Sequence, residues 1–308
     1  PMDPVVQQVY LKALQQHWAN VHSQHRLGRD TAVAVELARE QVAAKIGVRP
    51  KKVRFTSGAT EANSWVLSHF GKQGRILASA VEHPSVSEWR SEKVAVNAQG
   101  VVELEDLKRK LDTGGIALVS VMAANNETGV LQPIHHVYDI CRAYNVPYHC
   151  DASQVFGRME IHIRADFITL SAHKFGGPKG VGVLVVEQEV SPLLRGGPQE
   201  RGTRAGTLNA PGIIATGGAM ERCASMTFDQ QDRLEAALKS IGGQIIGEQA
   251  PRLPNTTCAL FSVPGDMLVM ALDMNGVQAS TGAACSSGSS MDSVVLQEMG
   301  VRGKPVRF

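Results

Sequence analysis

The sequence lacks any apolar run approaching the roughly 20 residues that a helix needs to cross a bilayer, and no charged-then-apolar leader opens it. A cytoplasmic protein with no membrane partner is therefore expected. An excess of charge of one sign is missing too: 31 Lys and Arg against 29 Asp and Glu leave a net charge of +2. That balance offers no electrostatic footprint for nucleic acid, and the pairs Lys51-Lys52 and Lys108-Arg109 read as solvated faces. The five cysteines, Cys141, Cys150, Cys223, Cys258 and Cys285, contain no C-x-x-C spacing. This argues against a disulfide framework or a closed zinc site, so reduced thiols and no metal are expected. Also absent are a G-x-x-x-x-G-K-[ST] nucleotide loop, internal repeats and low-complexity tracts.

What is present is a chain of 308 residues, 43% hydrophobic, above the size at which single cores stop growing. A large domain over residues 12–226 and a smaller one over 1–11 and 227–308 are expected. The chain opens at Pro1 rather than Met and stops at Phe308 inside the strand-like "PVRF", so it reads as part of a longer protein. Helical periodicity runs through "TAVAVELAREQVAAKIGV", with Thr31 as N-cap and Gly47 as stop. Short apolar runs at "KVRF", "RILAS", "IALVSVMAA", "VPYHC", "DFITLS" and "GVGVLVV" alternate with helical stretches such as "PIHHVYDICRAYN". That alternation predicts an α/β fold with a mostly parallel sheet flanked by helices. Ligands in such folds bind beyond the carboxyl ends of the strands. Polar clusters sit at those ends: "TSGATEAN", "EHPS", "NNETG", "DASQ" and "SAHK".

Each cluster carries chemistry and a plainer alternative. Gly58-Ala59-Thr60 between strand and helix suits a phosphate, or is an ordinary helix start. Lys174 in "SAHKFGGPKG" suits a Schiff base, or reaches solvent from a loop; Ser171 and His173 beside it are possible phosphate donors. Asp151 and Gln154 in "HCDASQ" suit pyridoxal 5′-phosphate (PLP), whose ring nitrogen needs a carboxylate, although Asp after a strand is also a common helix cap. His83 in "EHPS" either stacks on a ring or caps a helix, and Thr207 in "ERGTRAGT" is an N-cap or a phosphate donor. Cys285 in "ASTGAACSSGSS" stands among small polar residues with no aliphatic residue to bury it, which suits a reactive thiol or a plain turn.

Taken together, "TSGATEAN", "EHPS", "NNETG", "DASQ", "SAHKFGGPKG", "ERGTRAGT" and "STGAACSSG" resemble, in order and over essentially the whole chain, a cysteine desulfurase of the NifS/IscS-like group. This group lies in the class V branch of the fold type I PLP-dependent transferases. The resemblance implies a homodimer that converts L-cysteine to alanine and passes sulfur to an acceptor or scaffold protein for iron–sulfur cluster or thio-cofactor assembly. It implies that Lys174 carries PLP, that Asp151 meets the pyridine nitrogen and Gln154 the phenolic oxygen, and that His83 stacks on the ring. Ala59, Thr60, Ser171 and His173 would hold the phosphate with Thr207 from the neighbouring subunit, and Asn126 and Arg307 the substrate. Cys285 would take the sulfur as a persulfide, its small neighbours giving it reach. Relative to the family, the chain begins after the usual opening strand and ends before the last elements of the small domain. The stretches "EWRSEKVAV" and "FGRMEIHIRADF" are shorter than the usual connections. A selenocysteine lyase, a class V aminotransferase and a non-catalytic sulfur carrier are the alternative readings.

Overall fold

The computed structural model describes residues 2–223, 230–282 and 293–308. Cys285 lies outside the described residues. Helices α1 (Pro4–Gln16) and α2 (Arg26–Ile46) come first. The apolar stripe expected to begin at Thr31 forms a helix that starts earlier, at Arg26, because His25 caps it by accepting from Gly28 N–H at 3.2 Å. Thr31 lies inside, its hydroxyl donating to the Leu27 carbonyl at 2.9 Å. Gly47 ends the helix as expected, at a left-handed φ of 82°.

Strands β1 (Val53–Thr56), β2 (Arg75–Ser79), β3 (Glu92–Val94), β4 (Ile116–Ser120), β5 (Tyr148–Asp151), β6 (Phe167–Ser171) and β7 (Gly182–Val186) form one sheet in the order β1-β7-β6-β5-β4-β2-β3. The pairs β2–β3, β2–β4, β4–β5 and β5–β6 are parallel, while β7 runs antiparallel to β6 and β1. The connections carry helices α3 (Ala59–Phe70), α4 (Pro84–Ser87), α5 (Leu104–Asp112) and α6 (Ile134–Ala143). Both faces are covered, which is why every residue of β5 and β6 is buried instead of alternate ones. Successive residues divide between the two cores: Val119 and Ile168 join the larger one, Leu118 and Phe167 the smaller one under α3, where Trp65 and Phe70 pack.

After a short turn, α7 (Gln199–Gly202), helix α8 (Ala210–Arg222) lies against α1 and α2. Asn209 rather than Thr207 caps α8, accepting from Gly212 N–H at 3.1 Å. Helix α1, part of which the sequence grouped with the small unit, packs on α8 and places Val6 in the larger core. The remaining chain adds α9 (Gln230–Ser240), β8 (Gln244–Ile245), β9 (Cys258–Leu260), α10 (Gly265–Met274), α11 (Val294–Glu298) and β10 (Val306–Arg307). Its three strands form an antiparallel sheet in the order β10-β9-β8.

Two buried carboxylates brace this frame. Glu200, 4% exposed, receives Arg39 of α2 through two bonds of 2.8 and 2.9 Å and also accepts from Phe55 N–H of β1 at 2.7 Å. Arg39, itself 3% exposed, also donates to the Val53 carbonyl at 2.9 Å and lies over the Phe55 ring. Glu82, 5% exposed, follows β2 and accepts from the Ser79 hydroxyl at 2.6 Å and from Met122 N–H at 2.7 Å. Burial pushes its pKa up to about 8, with the nearby Asp151 carboxylate adding to the rise and the two hydrogen bonds opposing it.

Removing one partner of a buried ion pair strands the other charge, at a cost of about 3 to 5 kcal/mol. Glu200→Ala is accordingly expected to lower the urea unfolding midpoint sharply, and the paired change Arg39→Met with Glu200→Leu to recover part of the loss. An unaltered midpoint in Glu200→Ala would show that the pair is not a brace. For Glu82 the carboxyl is neutral in both states below its ordinary pKa of 4.5. Above that the unfolded chain ionises first, so the fold loses stability as pH rises through about 8. Glu82→Gln should therefore gain on the wild type in unfolding midpoint between pH 5 and pH 8, whereas a constant gap would mean that Glu82 ionises normally in the fold.

Candidate active site

The parallel strands deliver their polar clusters to one edge of the sheet. There Ala59, Thr60, His83, Asn126, Asp151, Gln154, Ser171, His173, Lys174 and Arg307 all line a single cavity of about 450 Å³. A larger cleft of about 570 Å³ beside α9 is lined by Gln230, Arg233, Leu234 and Phe308 among others. Its described lining carries no carboxylate, histidine, lysine or cysteine, so the smaller cavity holds the chemistry.

The floor is built where β1 turns into α3. Gly182, at the start of the neighbouring β7, lets this turn come close: a Cβ there would stand 2.4 Å from the Gly58 carbonyl carbon. The first turn of α3 at Ala59 and Thr60 therefore opens into the cavity with backbone N–H groups that the helix itself does not use. Glu61 in that turn accepts from Ser57 N–H at 2.8 Å and takes both arms of Arg204 at 2.8 and 3.0 Å. The pair ties the turn to the loop that leads to Thr207. Thr207 itself is exposed and is not among the lining residues.

Asp151, 6% exposed, is the last residue of β5. One of its carboxylate oxygens accepts from Asn63 Nδ2 at 2.8 Å, the other from Ser153 N–H at 3.0 Å, so it caps the turn that follows while facing the cavity. Asn63 Nδ2 also reaches Ser85 Oγ at 2.9 Å, and Ser85 in turn meets His83 Nδ1 through its N–H at 3.1 Å and its hydroxyl at 2.8 Å. His83 is thus both a helix cap and a wall of the cavity. Because Nδ1 accepts from Ser85 N–H, the ring proton is fixed on Nε2. Burial lowers the His83 pKa, Lys174 lowers it further and Asp151 opposes them, so the neutral ring is favoured. His173 is lowered in the same way by burial, Lys174 and Lys179.

Lys174 closes a short helical turn after β6 and is half-buried. Ser171 Oγ and His173 Nδ1 lie 3.0 Å apart beside it. Across the cavity Arg307, on β10, donates to the Asn126 carbonyl at 2.8 Å. Beneath the floor runs a polar row that the sequence reading missed: Ser120, His149 and Thr169, all buried, are joined at 2.8 and 3.0 Å across β4, β5 and β6. Burial holds the His149 pKa down at about 4, against the pull of Asp151. Also missed were Asn63 and Ser85, which close the motifs "TSGATEAN" and "EHPS" and whose polar side chains in such places were the available signal.

A phosphorylated pyridine aldehyde needs an anion seat, a carboxylate for its ring nitrogen, an amine for its aldehyde and a flat neighbour for its face. The cavity offers the α3 start, Asp151, Lys174 and His83, and Asn63 Oδ1 and Ser153 Oγ beside Asp151 are buried atoms without a hydrogen-bond partner. The residues fit the group.

The family model for class-V aminotransferases matches residues 1–307. Curated relatives include a cysteine desulfurase IscS from Dictyoglomus turgidum, 36% identical with 98% of this chain and 84% of that protein covered. A cysteine desulfurase from Sinorhizobium fredii is likewise 36% identical, over 97% of this chain and 85% of its own. Among solved structures, a NifS-like protein covers the whole chain and 90% of its own with a TM-score of 0.90 and 33% identity. A NifS-like protein from Rickettsia africae has a TM-score of 0.89 at 29% identity, with 100% and 90% covered. The mostly parallel sheet, the cavity at its edge and these likenesses lead to one conclusion: the chain belongs to the class-V aminotransferase family, among its cysteine desulfurases of the NifS/IscS-like group.

Proposed function

We propose that the protein is a PLP-dependent cysteine desulfurase that converts L-cysteine to L-alanine and takes the sulfur onto Cys285. The observation that carries this reading is the convergence of Lys174, Asp151, His83 and the α3 start on one cavity with Arg307 at its far wall. In this reading Ala59, Thr60, Ser171 and His173 hold the phosphate, joined by Thr207 of the partner subunit. Asp151 serves the pyridine nitrogen, Gln154 the phenolic oxygen, His83 a ring face and Lys174 the aldehyde carbon. Bound there, PLP supplies an electron sink for the bond broken at the substrate Cα.

The chain's own residues do the rest. Arg307, steadied by its bond to the Asn126 carbonyl, grips the substrate carboxylate through its remaining N–H groups. Lys174 Nζ takes the proton from the substrate Cα, and after the sulfur has left it delivers a proton to the carbon that lost it and restores one to Cα. Neutral His83 presents Nε2–H to the cavity. The Cys285 thiolate attacks the substrate sulfur: an S–S bond forms, the C–S bond breaks with its electrons going to carbon, and a persulfide is left on Cys285 as alanine departs. A sulfur-acceptor or scaffold protein then receives the sulfur for iron–sulfur cluster or thio-cofactor assembly.

A homodimer in the cytoplasm is part of the same reading. Val33, Leu37, Leu11 and Leu14 on α1 and α2 are exposed apolar side chains suited to a partner. Thr207 finds a use only at a neighbour's cofactor. The described cysteines, Cys141, Cys150, Cys223 and Cys258, are buried and unpaired, as a reducing compartment allows. Among the described residues no helix is long and apolar enough to cross a membrane.

Purified protein supplied with PLP is expected to show a visible absorption band that shifts on adding L-cysteine and is missing in Lys174→Ala. A colourless wild type would refute the enzyme reading and leave a sulfur carrier. Cys285→Ser should keep the band and lose at least about a thousand-fold in sulfide release from L-cysteine. Retained turnover would favour a selenocysteine lyase, because selenium can leave without a cysteine nucleophile. Sedimentation should give twice the chain mass for the PLP-loaded protein, and a loaded monomer would remove the role assigned to Thr207.

A further inference from the structure

Gln154 is held in the cavity wall by a neighbour that the reading above does not use. Arg158, four residues on, donates through Nη1 to the Gln154 carbonyl at 2.7 Å and also to its side-chain Oε1. A guanidinium has five donors and no acceptor, so the side-chain atom it meets must be the amide oxygen and cannot be the nitrogen. This resolves the ambiguity that attaches to amide side chains. With Oε1 turned to Arg158, the NH₂ group is the end left for the cavity that Gln154 lines. Arg158 is partly buried and feels the charge of Arg307, both of which lower its pKa; a guanidinium stays cationic in proteins, so its bond to the amide is charge-assisted.

We propose that Arg158 is a positioning residue that locks the Gln154 amide with its NH₂ facing inward, making Gln154 a hydrogen-bond donor, and never an acceptor, toward the phenolic oxygen of bound PLP. This rests on the function proposed above. A phenolic oxygen that receives such a bond is easier to keep deprotonated, so the chromophore gives up its proton at a lower pH. Arg158 would in this way tune the cofactor without touching it. A purely structural role would instead affect folding and leave the colour of the loaded protein alone.

The test is the pH midpoint of the visible band in PLP-loaded protein without L-cysteine, for the wild type, Arg158→Met, Arg158→Lys, Gln154→Leu and the double variant Arg158→Met/Gln154→Leu. Losing one hydrogen bond to a charged oxygen should raise the midpoint by about one pH unit in Arg158→Met. Gln154→Leu should show the same rise, the double variant no further rise, and Arg158→Lys, which also can only donate to Oε1, the wild-type midpoint. Since the cycle isolates what passes between the two residues, additive shifts in the double variant would show that Arg158 acts by its charge alone and would overturn the assignment. An unshifted Arg158→Met that still binds PLP would overturn it as well. A wild type that develops no band overturns the functional reading itself, which separates the two failures.

Discussion

The carboxylate of Asp151 is the point on which the site depends. It ends the central strand β5, receives Asn63 from α3 on one side and starts the turn toward Gln154 on the other. Through Asn63 it reaches Ser85 and hence His83, so the wall, the floor and the strand end are joined in one hydrogen-bonded path. Its charge is felt at four titratable groups around it: it raises Glu82 and Cys150 and works against the fall of His83 and His149. Burial then decides each case. The neighbours become neutral, and in this low-dielectric edge of the sheet a group at the site would meet Asp151 with little competition from other anions.

The cationic side is arranged differently. Lys174, Lys179 and Arg307 line the cavity together with the dipole of α3, while His83 and His173 are kept from adding charge. Positive groups are therefore distributed around the rim and the floor, where the phosphate and carboxylate of small anionic molecules could be gripped at separate points. Of the two carboxylates that line the cavity, Glu61 is taken up by Arg204, and Asp151 faces in from the end of β5. Such a division of charge is what distinguishes this cavity from the larger but chemically empty cleft beside α9.

Much of this was legible in the sequence, because a parallel sheet turns local strand-end motifs into spatial neighbours without further information. "TSGATEAN", "EHPS", "DASQ" and "SAHK" needed only the rule that strands point one way. The antiparallel β7 was not legible: "GVGVLVV" is apolar in either direction, so the run alone does not say that it opposes β6 and β1. The start of α2 was misplaced for a similar reason, since the cap is a histidine ring nitrogen and Thr31 looks like a better cap than it is. Pairs such as Arg39 with Glu200, or Glu61 with Arg204, join residues more than a hundred positions apart, and no spacing rule reaches that far.

The turn at Glu200 and Arg201 gives that last point a wider meaning. Both residues adopt left-handed backbone angles, with φ of 45° and 61°, which cost ordinary side chains about 1 to 2 kcal/mol each. Locally the Glu200 carbonyl accepts from the Thr203 N–H and hydroxyl, but the Glu200 side chain is held from α2 and β1, 161 and 145 positions earlier. The loop from Gln199 toward Thr207 is therefore not a module that could be transplanted with its sequence. Its shape is written in the far edge of the large sheet, and a chain that had lost that edge would keep every residue of the loop and still not know how to bend it.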